Sequence, residues 1–469
     1  MIAASPEAYK LLMEGSATFT DMEENGIRID EPYIDRMIVE TGTKIKEMEK
    51  ELRNDEVYRV WRKVYGEKAD LGSPTQMGRV IFGELGIESK RRTKTGKAAT
   101  DAEAFEDIDI PFVNRWVDYK KLKGVRTTNL IGIKRELVDG YLRPSFNLHL
   151  AITYRSSSDR PNGQNIPNRD KRQAKIVRRA FIPSDDEHVL LEADFAGIEV
   201  RAANCYHHDP VMTKYIKDDY DLHKDMAAEL YLVDRSRVTK DMRQMGKNGF
   251  VFPSFYGDWY LSICQALWRA VERDDLTTTD GVKVRHVLRD AGITELGASL
   301  KDGKPAAGTY AAHVKAVEDR FWGERFKVYT EWKNTWWQQY LKDGYYRLLT
   351  GFVSQGIFKR NEVINGPIQG TAFHWLLWTL IQLNKWLKKY KFKSRIISQI
   401  HDSIKLNAYR KELQDVLNKI QEIVTVDLPN HWRWINVPLA IESSVCEKSW
   451  FEKQEWTLQS GTWKPKPKK

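Results

Sequence analysis

Short apolar runs and longer helical periodicities alternate along this chain. Residues 188–195, HVLLEADF, open with Val189, Leu190 and Leu191 and continue through Ala193, which reads as a buried strand delivering Asp194 at its end. A second run, Ile396, Ile397 and Ile400, precedes His401-Asp402, and Ile404 and Leu406 follow, the pattern of a β-hairpin with a tight turn at His401-Asp402. Helix is expected over residues 1 to about 40, carrying Tyr9, Leu11, Leu12 and Met13, and through the charged stretch from about 40 to 135. Ser73 and Pro74 of the string GSPTQ suit an N-cap and the first helical position. Asn365 and Gln369 stand four apart and so share one helical face, as do Arg243 and Lys247 on a helix.

Chemistry enters with the strand-borne acids. A carboxylate at the end of an apolar strand is costly unless a cation meets it, so Asp194 is either a turn or cap residue or a metal ligand. Asp402 shifts the balance: two such aspartates could share a pair of divalent ions, the arrangement that in-line phosphoryl transfer needs. Arg243 and Lys247 could grip a triphosphate. A formal charge of +10 over 469 residues suits a polyanionic partner or a membrane surface, but no segment approaches the roughly 20 apolar residues of a membrane span. Three scattered cysteines (Cys205, Cys264, Cys446) make neither a zinc site nor a disulfide framework and point to a reducing, cytoplasmic compartment. The amino terminus lacks the features of a secretory signal. The sixteen tryptophans read chiefly as packing residues.

The strings DFAGIEVR (194–201), RQMGKNGFVFPSFYG (243–257) and QIHDS (399–403) resemble, in order and spacing, motifs A, B and C of the family-A (DNA polymerase I-like) DNA polymerases. TYRSSSDRPNGQNIPNRD (153–170) and NGPIQGTA (365–372) resemble two further signatures of that family. The resemblance covers about residues 15 to 455 and implies an α+β, right-hand fold: a helical thumb, a palm built on an antiparallel sheet, and helical fingers. The division it implies is an N-terminal helical lead-in to the palm (1–40), thumb (41–140), first part of the palm (141–205), fingers with an insertion around 258–345 (206–394), and second part of the palm with a basic tail (395–469). The activity implied is template-directed addition of dNTPs to a primer 3′-hydroxyl. Asp194, Asp402 and the backbone carbonyl of Phe195 would hold two Mg²⁺ ions, for which Mn²⁺ can substitute. Arg243, Lys247, Phe252, Tyr256, Glu199 and His401 would meet the dNTP, with Arg243 and Lys247 on its phosphates and Lys247 as a proton donor to pyrophosphate. Arg155, Gln164, Asn165, Asn365 and Gln369 would meet primer–template near its growing end. The basic loop Lys90, Arg91, Arg92, Lys94 and Lys97 is expected either to hold duplex phosphates or to be a solvated charge run.

Departures from the family pattern carry their own expectations. Lys247 to Tyr256 is one residue longer than usual, Pro253 would interrupt a regular helix, and Gly246 and Gly249 weaken it, so a one-residue bulge is expected. Register then places either Phe252 or Val251 against the sugar, Phe252 being favoured. Ser403 stands where the family often has glutamate. Asp221-Leu-His223 resembles a fingers element with either a structural or a substrate role. Glu199 disfavours the alternative of RNA synthesis, and retention of both aspartates disfavours a silent DNA-binding scaffold. The Asp21-Met-Glu23 pattern fits an exonuclease opening, but its helical surroundings make both acids solvated helix residues, so no 3′–5′ exonuclease is expected. A separate exonuclease, helicase or processivity factor would then join primer–template DNA and dNTPs as partners of a monomer. The polymerase-only layout with its FVFP and HDSI variants looks bacteriophage-like, which would make the compartment the host cytoplasm.

Overall fold

The apolar runs on either side of Asp194 and Asp402 become neighbouring strands of one sheet. In the computed structural model six strands, β1 (His188–Phe195), β2 (Arg395–Ile400), β3 (Ser403–Tyr409), β4 (Ile441–Cys446), β5 (Lys453–Gln459) and β6 (Thr462–Pro465), pair antiparallel throughout in the order β2-β3-β1-β4-β5-β6. The chain is described except for residues 1–2, 90–97, 101–103, 106–107, 109, 169, 259, 274, 298–299, 302–303 and 468–469. The basic loop residues Lys90, Arg91, Arg92, Lys94 and Lys97 therefore lie outside the described residues.

Alternation along β1 sends Val189, Leu191 and Ala193 to one core and Leu190 to another. The first core is closed by two helices far apart in sequence, α1 (Pro6–Asn25) and the long helix Arg360–Lys389, through Leu11, Phe19, Trp375 and Leu380. This placement corrects one expectation. Asp21 and Glu23 are helical but not simply solvated: Asp21 accepts from Asn384 Nδ2 at 2.7 Å and pairs with Lys388 at 2.5 Å, and Glu23 accepts from the Phe146 backbone N–H at 2.6 Å. Both acids fasten α1 to the sheet domain.

Two helical cores flank the sheet. One gathers Leu52, Trp61, Phe112 and Trp116 from α2 (Glu31–Asn54) and the helices that follow it, including α3 (Pro111–Gly124). Within it Ser73 caps the Pro74–Gly78 turn by accepting from Gln76 N–H at 3.3 Å. The other core gathers Met226, Phe250, Leu267, Tyr310 and Phe326. Here the described part of the stretch 258–345 is mostly helical, with helices Val284–Asp290, Tyr310–Arg320 and Lys327–Asp343. Between the first two of these helices, Leu300–Lys301 and Lys304–Pro305 pair as a short antiparallel ladder. The long helix Arg360–Lys389 buries Val363, Ile368, Trp375, Leu380 and Leu387 in the core of the sheet rather than in this second helical core. Among the described residues, no helix is long and apolar enough to cross a membrane.

Candidate active site

Asp194 lies at the carboxyl end of β1, in register with Ser403 of β3 and Glu442 of β4. The next residue clips this end to the hairpin turn: Phe195 N–H donates to the Asp402 carbonyl at 3.1 Å. His401 adopts φ +54°, the left-handed conformation that closes the two-residue turn and sets Asp402 beside the strand end. Ser403 donates to the Ile400 carbonyl at 2.9 Å, a turn-closing bond in place of a further carboxylate. Asp194 Oδ1 is buried and has no hydrogen-bond partner. Burial first, and the neighbouring Asp402 charge second, push the Asp194 carboxyl up to about 7. An orphaned carboxylate oxygen beside a second carboxylate is a donor set that fits a hard divalent cation. Among the described residues no group of three or more acidic, histidine or cysteine side chains forms a metal cluster. The aspartate pair would thus rely on backbone, water or substrate oxygens to complete a coordination sphere. The carbonyl of Phe195, named from sequence as such an oxygen, belongs to the same strand end.

This electrostatic cost has a measurable sign. Without metal, the folded chain holds a proton on Asp194 up to about pH 7, whereas the ordinary value is 3.8. The folded state therefore loses stability as pH rises from about 4 to about 7, and the full penalty stands above that window. Asp194→Asn is expected to raise the melting temperature of the metal-free protein at pH 8 by about 2–4 °C and to flatten its fall between pH 5 and 8. Identical pH profiles for the two proteins in calorimetry would contradict the assignment.

A cavity of about 490 Å³ opens next to this pair and is lined by Arg155, Glu199, Phe252, Asn365, Gln369, His401 and Asp402, with Ile198, Met212, Phe255 and Phe373 among its apolar walls. Arg155 and Glu199 form an ion pair across it. Gly370 makes this meeting feasible: a Cβ there would stand 2.7 Å from the Thr153 carbonyl, so only glycine lets the helix bearing Asn365 and Gln369 lie against the loop bearing Arg155. Gln164 is not in the cavity wall. Its amide donates to Ser156 Oγ at 2.8 Å and to Gln399 Oε1 at 2.9 Å, and Gln399 donates to the His401 carbonyl at 2.5 Å, so Gln164 buttresses the turn from behind. Asn165 is exposed outside the wall.

Arg243 closes the helix Lys240–Met245, and Lys247 follows on a wider, π-type turn over Gly246–Val251. That turn is the bulge expected from the extra residue, and Pro253 sits in the first turn of the helical segment Phe252–Tyr256 that resumes after it. Val251 is fully buried, whereas Phe252 faces the cavity, with the Lys247 ammonium 5.1 Å from its ring centroid. The side chain of Tyr256 lies outside the described residues. Arg243 Nε donates to Asp221 Oδ2 at 2.7 Å, while Asp221 Oδ1 accepts from the Lys224 N–H and caps the helix Leu222–Leu230. His223 meets Phe252 edge to face, its ring 5.7 Å from the phenyl centroid. Burial, then Lys247 and Arg243, lower His223 to about 4, which keeps it neutral at physiological pH with Nδ1 unpartnered. Sequence reasoning left His223 between two roles. Its place depends on a contact no local pattern shows: a Cβ on Gly246 would meet the His223 carbonyl at 2.7 Å, so glycine brings the two segments together.

DNA polymerase I of Bacillus subtilis is 26% identical over 450 residues, covering 92% of this chain and 44% of its own length. DNA polymerase I of Rhizobium leguminosarum is 27% identical over 419 residues, 86% of this chain and 36% of its own. The chain thus spans less than half the length of these relatives. Among solved structures, the POL domain of Pol1 from M. smegmatis, in complex with DNA primer-template and dNTP, superposes with a TM-score of 0.72 at 22% identity, covering 94% of this chain and 70% of that one, which establishes the shared fold of palm sheet, helical thumb and helical fingers. The sequence profile of DNA polymerase family A matches residues 36–273 and 347–452, interrupted at the helical insertion and ending before the β5–β6 hairpin; the chain belongs to DNA polymerase family A.

Proposed function

We propose that this chain is a DNA-directed DNA polymerase that adds dNTPs to a primer 3′-hydroxyl along a template strand. The observation that carries the reading is the unpartnered, buried Asp194 oxygen beside Asp402 at the mouth of a cavity lined by Glu199, Phe252, Asn365 and Gln369. Asp194 and Asp402 would hold two Mg²⁺ ions (or Mn²⁺), which when bound activate the attacking hydroxyl and stabilise charge on the leaving pyrophosphate. Arg243, Lys247 and His223 offer donors to the triphosphate. Phe252 packs against the incoming sugar, and Glu199, anchored by Arg155, fills the space a 2′-hydroxyl would need. Asn365 and Gln369 face the terminal base pair, and Gln164 acts from behind through Gln399 on the His401-Asp402 turn.

The division proposed for the chain follows its cores: residues 41–140 as thumb, 206 onward through the insertion as fingers, and the strands with α1 and the helix Arg360–Lys389 as palm. Asp21 and Glu23 are committed to packing contacts, which supports a polymerase that does not excise. A viral replication role is the narrower reading and rests on the FVFP and HDSI variants. The test is extension of a labelled primer by the purified chain with Mg²⁺. Extension with dNTPs, little with rNTPs and no shortening of a mismatched primer is the expected outcome. Efficient rNTP incorporation would overturn the DNA assignment, and primer shortening would overturn the absence of excision.

A further inference from the structure

Two residues before Asp194, on the same face of β1, stands a second acid. Glu192 lies opposite Lys405 of β3 and Ser444 of β4. Its Oε2 accepts from Trp450 Nε1 at 2.8 Å and from the Lys405 ammonium, and its Oε1 accepts from Lys453 at 2.6 Å. The Lys405 and Arg178 cations each lie 4.2 Å from the Trp450 ring centroid. One carboxylate thus gathers two ammonium groups and an indole, and the indole packs a guanidinium in turn.

The surroundings make this cluster unusual for a sheet that needs only stability. Leu190, Ile397, Ile400 and Cys446 on the same core are apolar or nearly so, while Lys405 is buried to 9% side-chain exposure and Glu192 to 14%. A buried ion pair carries a desolvation cost that apolar residues would avoid, and its best-attested return is a unique register. Here the strands held in register are β1, which carries Asp194 in its last two residues, β3, which begins directly after Asp402, and β5. The last of these supplies Lys453 from the hairpin beyond residue 452, where the family match ends.

We propose that Glu192, Lys405 and Lys453 form a positioning brace that fixes the Asp194 and Asp402 carboxylates relative to one another for metal binding, and that the β5–β6 hairpin belongs to the catalytic palm through it. The proposal rests on the two-metal reading above. A slip or splay of β1 against β3 moves one carboxylate and not the other, so the brace acts on metal affinity before it acts on nucleic-acid binding.

The experiment uses the full chain bound to a dideoxy-terminated primer–template and dNTP, with Mn²⁺ binding followed by electron paramagnetic resonance. Glu192→Gln and Lys453→Met are expected to weaken Mn²⁺ binding about tenfold, as loss of groups that orient metal ligands does. Primer–template affinity stays unchanged, and the turnover rate recovers at high Mn²⁺. Lys453 is 31% exposed, so its replacement tests the brace even where Glu192→Gln does not fold. Mn²⁺ affinity within twofold of wild type in Lys453→Met, whatever its melting temperature, overturns the proposal while leaving the polymerase reading intact. Absence of Mn²⁺ binding in the wild-type complex removes the metal reading and this proposal with it.

Discussion

Asp194→Asn is expected to reduce the primer-extension rate by at least about 10³-fold while leaving primer–template affinity within about twofold. The asparagine is nearly isosteric, so β1, the clip from Phe195 to the Asp402 carbonyl and the Arg155–Glu199 pair remain. What disappears is one of the two anionic groups at the strand ends, and with it the charge that can attract a divalent cation. The same substitution is expected to make the metal-free protein more stable at pH 8, because it removes a carboxylate that is raised first by burial and second by the Asp402 charge. Opposite signs for stability and activity in one variant distinguish a residue strained for function from one that holds the fold. Substantial extension by Asp194→Asn, measured in single-turnover conditions over a range of Mg²⁺, would remove Asp194 from the metal site.

The strands bearing the two aspartates were legible because they are short, apolar and bounded by a turn, so period and punctuation suffice. Asn365 and Gln369 were legible for a similar local reason, since spacing of four on a helix defines a face. Around residues 258–345, where the family match is interrupted, the sequence did not show the structure: the helices there are amphipathic only with respect to a core assembled elsewhere in the chain. Asp21 and Glu23 looked solvated because their partners, Lys388, Asn384 and Phe146, are distant in sequence. Glu192 and Lys405 passed without notice for the same reason: a charge inside an apolar run has no local signature of its partner. Gln164 shows what a motif leaves out: its string resembles a substrate-contacting signature, and its amide also reaches, through Gln399, the back of the His401-Asp402 turn.

Lys247 and Arg243 make the second large effect, and their contacts in the structure differ. Arg243 is already held by Asp221, whose other oxygen caps a helix, so the guanidinium has a fixed station and a competing anion. A triphosphate there gains a charge-assisted bond but must share or displace Asp221. Arg243→Ala is accordingly expected to raise the dNTP KM by about 10–100-fold, the loss of a hydrogen bond between charged groups, with a smaller change in kcat. Lys247 has no carboxylate partner among the salt bridges of the described residues and rests over Phe252, a residue of the cavity wall, 5.1 Å from the ring centroid. From that position its ammonium can follow charge as it develops on the leaving pyrophosphate and donate a proton to it. Lys247→Ala is therefore expected to lower kcat by about 10²–10³-fold, with KM changing less. Rapid-quench measurement of a single incorporation under saturating dNTP checks this directly, because it isolates the chemical step from product release. Equal effects of both substitutions on KM alone would mean that Lys247 binds the nucleotide without assisting its reaction, and the proton would then have to come from water.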